Sequence, residues 1–142
     1  MKKKNVIFVI CFCCIIILLV ISIYRMGNIS LTYKSFYKIF STNLNGVTII
    51  TILDGNTGEI HEISKKENIG KIINLFERYE YKKEKSKDIP LGYKYLLRFL
   101  NDENDEIFHF TISDGAITYN SSRYVSRSKM IELMDYIKEI IN

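Results

Sequence analysis

Two histidines, His61 and His109, sit in the alternating segments EIHEI and IFHFT. A pair of imidazoles holds a divalent metal only when a third ligand converges, and Glu59, Glu62 or Glu106 would supply it on paper. A strand histidine with its ring nitrogen hydrogen-bonded is the commoner arrangement, so both are read that way and no metal is assigned. Asp102, Asn104 and Glu106 stand at alternate positions of NDENDE, as a calcium loop begins. The central glycine and the distant bidentate glutamate of such a loop are missing, which makes an acidic hairpin turn the better reading.

Nucleophilic catalysis has no motif here. No serine lies in a Gly-x-Ser-x-Gly turn, and no cysteine follows Cys14. The most suggestive polar run is Ser121-Ser122-Arg123-Tyr124-Val125-Ser126-Arg127-Ser128. If it leads into a helix N-terminus, backbone N–H groups, the hydroxyls of Ser122 and Ser126, and the guanidiniums of Arg123 and Arg127 would hold a phosphate or carboxylate. An anionic envelope polymer carries such groups. The plainer reading of the same run is a solvated loop with a helix cap. No cofactor is implied by any of these residues.

Charge narrows the partners. Lys2, Lys3, Lys4 and Arg25 account for the whole net charge of +4, which leaves everything after Arg25 neutral. A neutral domain lacks the basic footprint that a phosphate backbone selects, so nucleic acid is not an expected partner. The cysteines are equally localised: Cys11, Cys13 and Cys14 all lie in one apolar block with no histidine or carboxylate beside them. They read as thiols packed among apolar neighbours, with acylation as the minor alternative.

That block sets the first element. From Val6 to Ile23 the only polar side chain apart from the thiols is Ser22, and a helix over this run spans about 27 Å at 1.5 Å per residue. This predicts a transmembrane helix over roughly residues 5–25. The greater positive charge precedes it, so the N-terminus is expected in the cytoplasm and the remainder outside the cell membrane, as a single-pass protein. Ser22-Ile23-Tyr24 and Arg25-Met26-Gly27 lack the small-residue pair of a cleavage site, which favours an uncleaved anchor. The expected domains are a basic stub and anchor over 1–27, a juxtamembrane segment over 28–44, and an extracytoplasmic domain over 45–142. In the juxtamembrane segment Tyr33, Phe36, Tyr37 and Phe40 recur at helical spacing. They suit either a short helix at headgroup level or the beginning of the domain core.

Beyond it the sequence predicts an α+β fold. Val47 to Leu53 and Glu59 to Ile63 form a hairpin around Asp54-Gly55-Asn56-Thr57-Gly58. Ser64-Lys65-Lys66-Glu67 reads as a capping box, and Ile69, Ile72, Ile73, Phe76 and Tyr79 make one apolar helix face. Lys82 to Asp88 reads as a polar loop. Tyr93, Tyr95, Leu97 and Phe99 alternate with a mixed face of Lys94, Leu96, Arg98 and Leu100. Phe108, Phe110 and Ile112 alternate in the next strand, and Ala116 to Asn120 completes a meander. A last helix, expected to begin near Ser126 to Ser128, aligns Met130, Leu133, Met134, Ile137 and Ile141. The order is ββαβββα, an antiparallel sheet with two helices packed on it.

The segments VTIITILDGNTGEIHEI, IGKIINLFERYEYKKE, GYKYLLRFL and EIFHFTISDGAITYN, with Tyr124 nearby, resemble a small domain of unknown function. That domain occurs in exported or membrane-anchored proteins of low-GC Gram-positive bacteria. The resemblance covers roughly residues 45–125, implies a location, and carries no activity. The expected role is a non-catalytic binding module contacting an envelope protein or polymer through an exposed sheet face or edge. The alternatives are an accessory or immunity-type subunit recognised through its anchor, and an envelope hydrolase, whose signature would be a deep pocket of converging polar groups.

Overall fold

The computed structural model describes residues 12–23, 32–40, 44–85, 92–113 and 115–142. It separates into two compact units, residues 1–32 and Tyr33–Asn142.

In the first unit the chain is helical over residues 12–23, here called α1, and every side chain along it is exposed. Ser22 Oγ donates to the carbonyl of Leu18 at 2.8 Å, the usual way a helical serine satisfies its hydroxyl among apolar neighbours. The transmembrane expectation is corrected at this point. Among the described residues no helix is long and apolar enough to cross a membrane. The described residues 12–23 cover about 18 Å at 1.5 Å per residue, against a hydrocarbon core of about 30 Å. The flanking parts of the expected anchor, residues 5–11 and 24–25, lie outside the described residues. With the spanning helix goes the inference of a cytoplasmic N-terminus and an extracytoplasmic domain, since orientation was read from that helix alone.

The second unit is α+β. In order it contains β1 (Lys34–Ser35), α2 (Phe36–Phe40), a 3-10 turn (Leu44–Gly46), β2 (Ile49–Asp54), β3 (Ile60–Ile63), α3 (Lys66–Glu77) and β4 (Glu80–Lys83). There follow β5 (Tyr95–Leu100), β6 (Glu106–Ser113), β7 (Ala116–Tyr119), β8 (Ser122–Ser126) and α4 (Ile131–Ile141). The strands form one eight-stranded sheet in the order β1-β4-β8-β7-β6-β5-β2-β3, antiparallel at every pairing. The described residues therefore add β1, β4 and β8 to the five strands expected from sequence.

The hairpin and the meander follow their sequence signals. Asp54 Oδ1 accepts from the backbone N–H of Asn56 at 2.7 Å, and Gly58 takes a left-handed φ of +77°, so the β2–β3 turn closes as its residue types demand. Gly55 is required for another reason: a Cβ there would lie 2.2 Å from the carbonyl oxygen of Tyr93. Between β5 and β6 the register shifts at Phe99/Leu100, a bulge that brings Glu106 opposite Leu100.

Alternation puts Ile50, Ile52, Leu97, Phe99, Phe110 and Ile112 on one face of the sheet, all 0% exposed. On this face α3 buries Ile69, Ile72, Leu75 and Phe76, and α4 buries Leu133, Tyr136 and Ile137. The two helices are tied by Arg78 Nη1 to Glu132 Oε1 at 2.8 Å and by the Tyr136 hydroxyl donating to Asn68 Oδ1 at 3.2 Å. Of the aromatics of the 28–44 segment, Phe36 and Phe40 belong to the core. Phe36 lies 5.4 Å from Phe76 and 6.0 Å from Phe110 by ring centroid, and Phe40 lies 5.4 Å from Phe108. Each such contact adds about 0.5–1.5 kcal/mol beyond its buried area. Tyr37 of the same short helix points away and is exposed.

Two helix starts differ from expectation. The N-cap of α3 is Lys65, with no side-chain cap, so the Ser64–Glu67 box does not form. Its hydroxyl sits one position too early to reach the first free N–H groups. Helix α4 begins at Ile131 after Met130, because Ser122 to Ser126 are taken up as a strand.

Candidate functional site

The run from Ser121 to Ser128 shows first what the sheet does to a sequence motif. β8 pairs with β7 on one side and β4 on the other, with Thr118 opposite Arg123 and Tyr81 opposite Ser126. Directly opposed residues share a face. Ser126 therefore points with the buried Tyr81 toward the covered face, as does Ser122 by alternation, while Arg123 and Arg127 point to the other. The Ser126 hydroxyl is buried there without a hydrogen-bond partner. The four residues considered for an anion site are thus divided between two faces, and α4 begins beyond them.

Both guanidiniums are also engaged. Arg127 Nη1 is 2.6 Å from Glu80 Oε2, and its guanidinium carbon stands 4.9 Å from the centre of the Tyr33 ring. Arg123 is only 15% exposed, with Nε 3.1 Å from Glu84 Oε2, close enough for ion pairing but not aligned as a hydrogen bond. Lys82 Nζ lies 5.9 Å from the same Tyr33 ring. On the half of the open face formed by β7, β8, β4 and β1, these arginines are matched by carboxylates of the neighbouring strand.

The histidines separate as well. His61, opposite Ile52, belongs to the covered side at the sheet edge, and its Nε2 is 3.8 Å from Glu59 Oε2. His109, opposite Arg98, belongs to the open face. Its Nδ1 is 2.5 Å from Glu106 Oε1, while Glu106 Oε2 is 3.7 Å from Arg98 Nε. The β5–β6 bulge lets Glu106 bridge the two. Among the described residues no three His, Cys, Asp or Glu side chains converge to hold a metal. The NDENDE segment is organised by Asn101, whose Oδ1 accepts from the N–H of Glu103 at 3.0 Å and of Asp105 at 2.8 Å. Asn104 takes φ +64° there, a left-handed value that asparagine tolerates.

The remaining half of the open face, formed by β3, β2, β5 and β6, has a different make-up. Ile60, Leu53 and Leu96 stand in one cross-strand row, because Leu53 is opposed to both of the others. Glu62, Thr51, Arg98 and His109 form the next row by the same registers. Ile49 and Leu100 form a third, beside the bulge that carries Ile107. Two aliphatic rows thus flank a polar one. Ile60 is 71% exposed and Ile107 37% exposed, and Leu53, Leu96, Leu100 and Ile49 keep part of their surface in water. The signal for this surface was present in the mixed face of β5, where Leu96 and Leu100 alternate with Lys94 and Arg98. What the linear sequence does not contain is the cross-strand register that aligns these leucines with Leu53, Ile49 and Ile60.

The chain matches no protein-family model, no curated protein and no solved structure.

Proposed function

We propose that the compact unit Tyr33–Asn142 is a non-catalytic binding module that docks another protein on the open half-face of β3, β2, β5 and β6. The observation that carries this reading is the pair of aliphatic rows, Ile60-Leu53-Leu96 and Ile49-Leu100, left facing solvent around the Arg98–Glu106–His109 cluster. Burying apolar area of this kind supplies about 25 cal/mol per Å², and the enclosed charges confer orientation more than affinity. A protein partner fits better than an anionic polymer, because Arg123 and Arg127 on the same face are already opposed by Glu84 and Glu80.

Site-specific photo-crosslinking in intact cells tests the reading. A crosslinker at position 96 is expected to capture one discrete protein, whereas one at position 139, on the exposed side of α4, captures none. Capture from both positions alike, or from neither, removes the proposal.

A further inference from the structure

A cavity of about 410 Å³ opens between the first turns of α4 and the β6–β7 turn, where Gly115 takes φ +73°. Its size is within the range of small-molecule sites, about 300–1,000 Å³. Lys94 stands at the end of the docking face proposed above, two residues before Leu96, but the cavity reading does not depend on that proposal.

The cavity is lined by charges of both signs, Lys94, Lys129 and Asp135. The described arginines are each ion-paired, Arg78 with Glu132, Arg98 with Glu106, Arg123 with Glu84 and Arg127 with Glu80. Lys71 and Lys82 stand over tyrosine rings. Lys94 and Lys129 line one cavity, and among the described residues neither is ion-paired. Asp135 lines the same space without pairing to either. Between these charges the wall is apolar: Met130 is 2% exposed, Met134 is half-buried, and Ile131 is 59% exposed at the mouth.

The backbone beneath Lys94 is fixed from both sides. Its N–H donates to the carbonyl of Ile112 at 2.7 Å, and its carbonyl accepts from the N–H of Gly55 at 2.8 Å. Gly55 is the residue that leaves no room for a Cβ against Tyr93, so this contact depends on glycine at that position. Lys94 thus stands on a fixed strand end and Lys129 on the residue before the Met130 cap, so both lysines border the space an anionic group would enter.

We propose that this cavity binds a small organic carboxylate with an aliphatic body, of the kind carried by an aliphatic amino acid or by the C-terminal residue of a peptide. The carboxylate lies between Lys94 and Lys129, and the body lies on Met130, Met134 and Ile131. Methionine thioethers accommodate such side chains without demanding one shape. Asp135 sets the selectivity. It accepts from an ammonium or amide N–H of the ligand, and it repels a doubly charged phosphate monoester, which both lysines alone would favour.

The test is a titration of the full chain, labelled at the methionine methyl groups, with leucine, N-acetyl-leucine, leucinamide and isobutyl phosphate. Met130 and Met134 are the reporters, and Met1 and Met26 serve as references. Saturable shifts at both reporters are expected with leucine or N-acetyl-leucine. Leucinamide, which lacks the carboxylate, and isobutyl phosphate are each expected to bind at least tenfold more weakly. Tighter binding of leucine than of N-acetyl-leucine, with the difference lost in Asp135→Asn, identifies the free amino acid. Equal or tighter binding of N-acetyl-leucine identifies a peptide C-terminus. Lys94→Gln and Lys129→Gln, both at exposed positions, are expected to leave the folded spectrum intact and to weaken binding tenfold or more. Absence of saturable shifts overturns the proposal. So does equal binding of leucinamide, tighter binding of the phosphate, or indifference to both lysine substitutions.

Discussion

On the covered face of the sheet, Ile50, Ile52, Leu97, Phe99, Phe110 and Ile112 lose all contact with solvent, and aromatic rings from α2 and α3 close over them. On the opposite face of the same strands, Thr51, Leu53, Leu96, Arg98, His109 and Thr111 alternate with those residues and keep part of their surface in water. The covered face is fully packed, whereas the open face mixes partly exposed aliphatic rows with charge clusters. The open face is itself divided, since the β7-β8-β4-β1 half balances its arginines internally and the β3-β2-β5-β6 half leaves its aliphatics uncovered.

The sharpest way to break this contrast is at Phe36. Replacing it with alanine removes a 1% exposed ring from the centre of the aromatic cluster and is expected to cost about 3–5 kcal/mol, measured by urea unfolding. A loss below about 1 kcal/mol would mean that α2 is not part of the core. On the open face, Leu96→Glu is expected to weaken partner binding by at least about tenfold, or about 1.4 kcal/mol, while changing unfolding stability by less than about 1 kcal/mol. The reverse outcome, lost stability with binding retained, would make the open face structural.

Tyr81 offers a pH test of the covered face. Its hydroxyl donates to the carbonyl of Phe76 at 3.1 Å, and burial raises its pKa well above the ordinary phenol value of 10.0. The folded chain therefore holds this proton more tightly than the unfolded chain does. The contribution is complete below pH 10 and is lost as pH rises from there toward the folded value. Tyr81→Phe is expected to cost roughly 1 kcal/mol at neutral pH and to flatten the alkaline decline in stability by one proton. Tyr95 and Tyr136, also raised by burial, retain their share of that decline. The smallest effects lie on the ion-paired half. Arg123→Ala, at a side chain 15% exposed, is expected to cost about 1 kcal/mol, and Arg127→Ala, at one 65% exposed, less than about 0.5 kcal/mol. Thermal melts of the two variants rank them directly.

Much of the covered face was legible beforehand. Alternation in YLLRFL and in IFHFTI, and the helical spacing of Ile69, Ile72 and Phe76, depend on burial patterns that a local window contains. The strands β4 and β8 were not legible for a matching reason. EYKK buries Tyr81 alone, and SRYVS buries no side chain fully, so neither carries an apolar pattern. Each becomes a strand because the other and their neighbours satisfy its backbone groups. The candidate anion site was misplaced by the same cause, since pairing as a strand sends Ser122 and Ser126 to one side and Arg123 and Arg127 to the other.

The sequence by itself determined the neutral charge after Arg25, the localisation of the cysteines, the hairpin around Asp54-Gly55, and which residues of each strong strand turn inward. These depend on composition, turn chemistry and local period. Only the tertiary structure decided that Phe36 and Phe40 belong to the core, that Glu80 and Glu84 meet the two arginines, and that Ile60, Leu53 and Leu96 form one row. Each of these joins residues far apart in the chain through strand register, and register is set by the packing of the whole sheet.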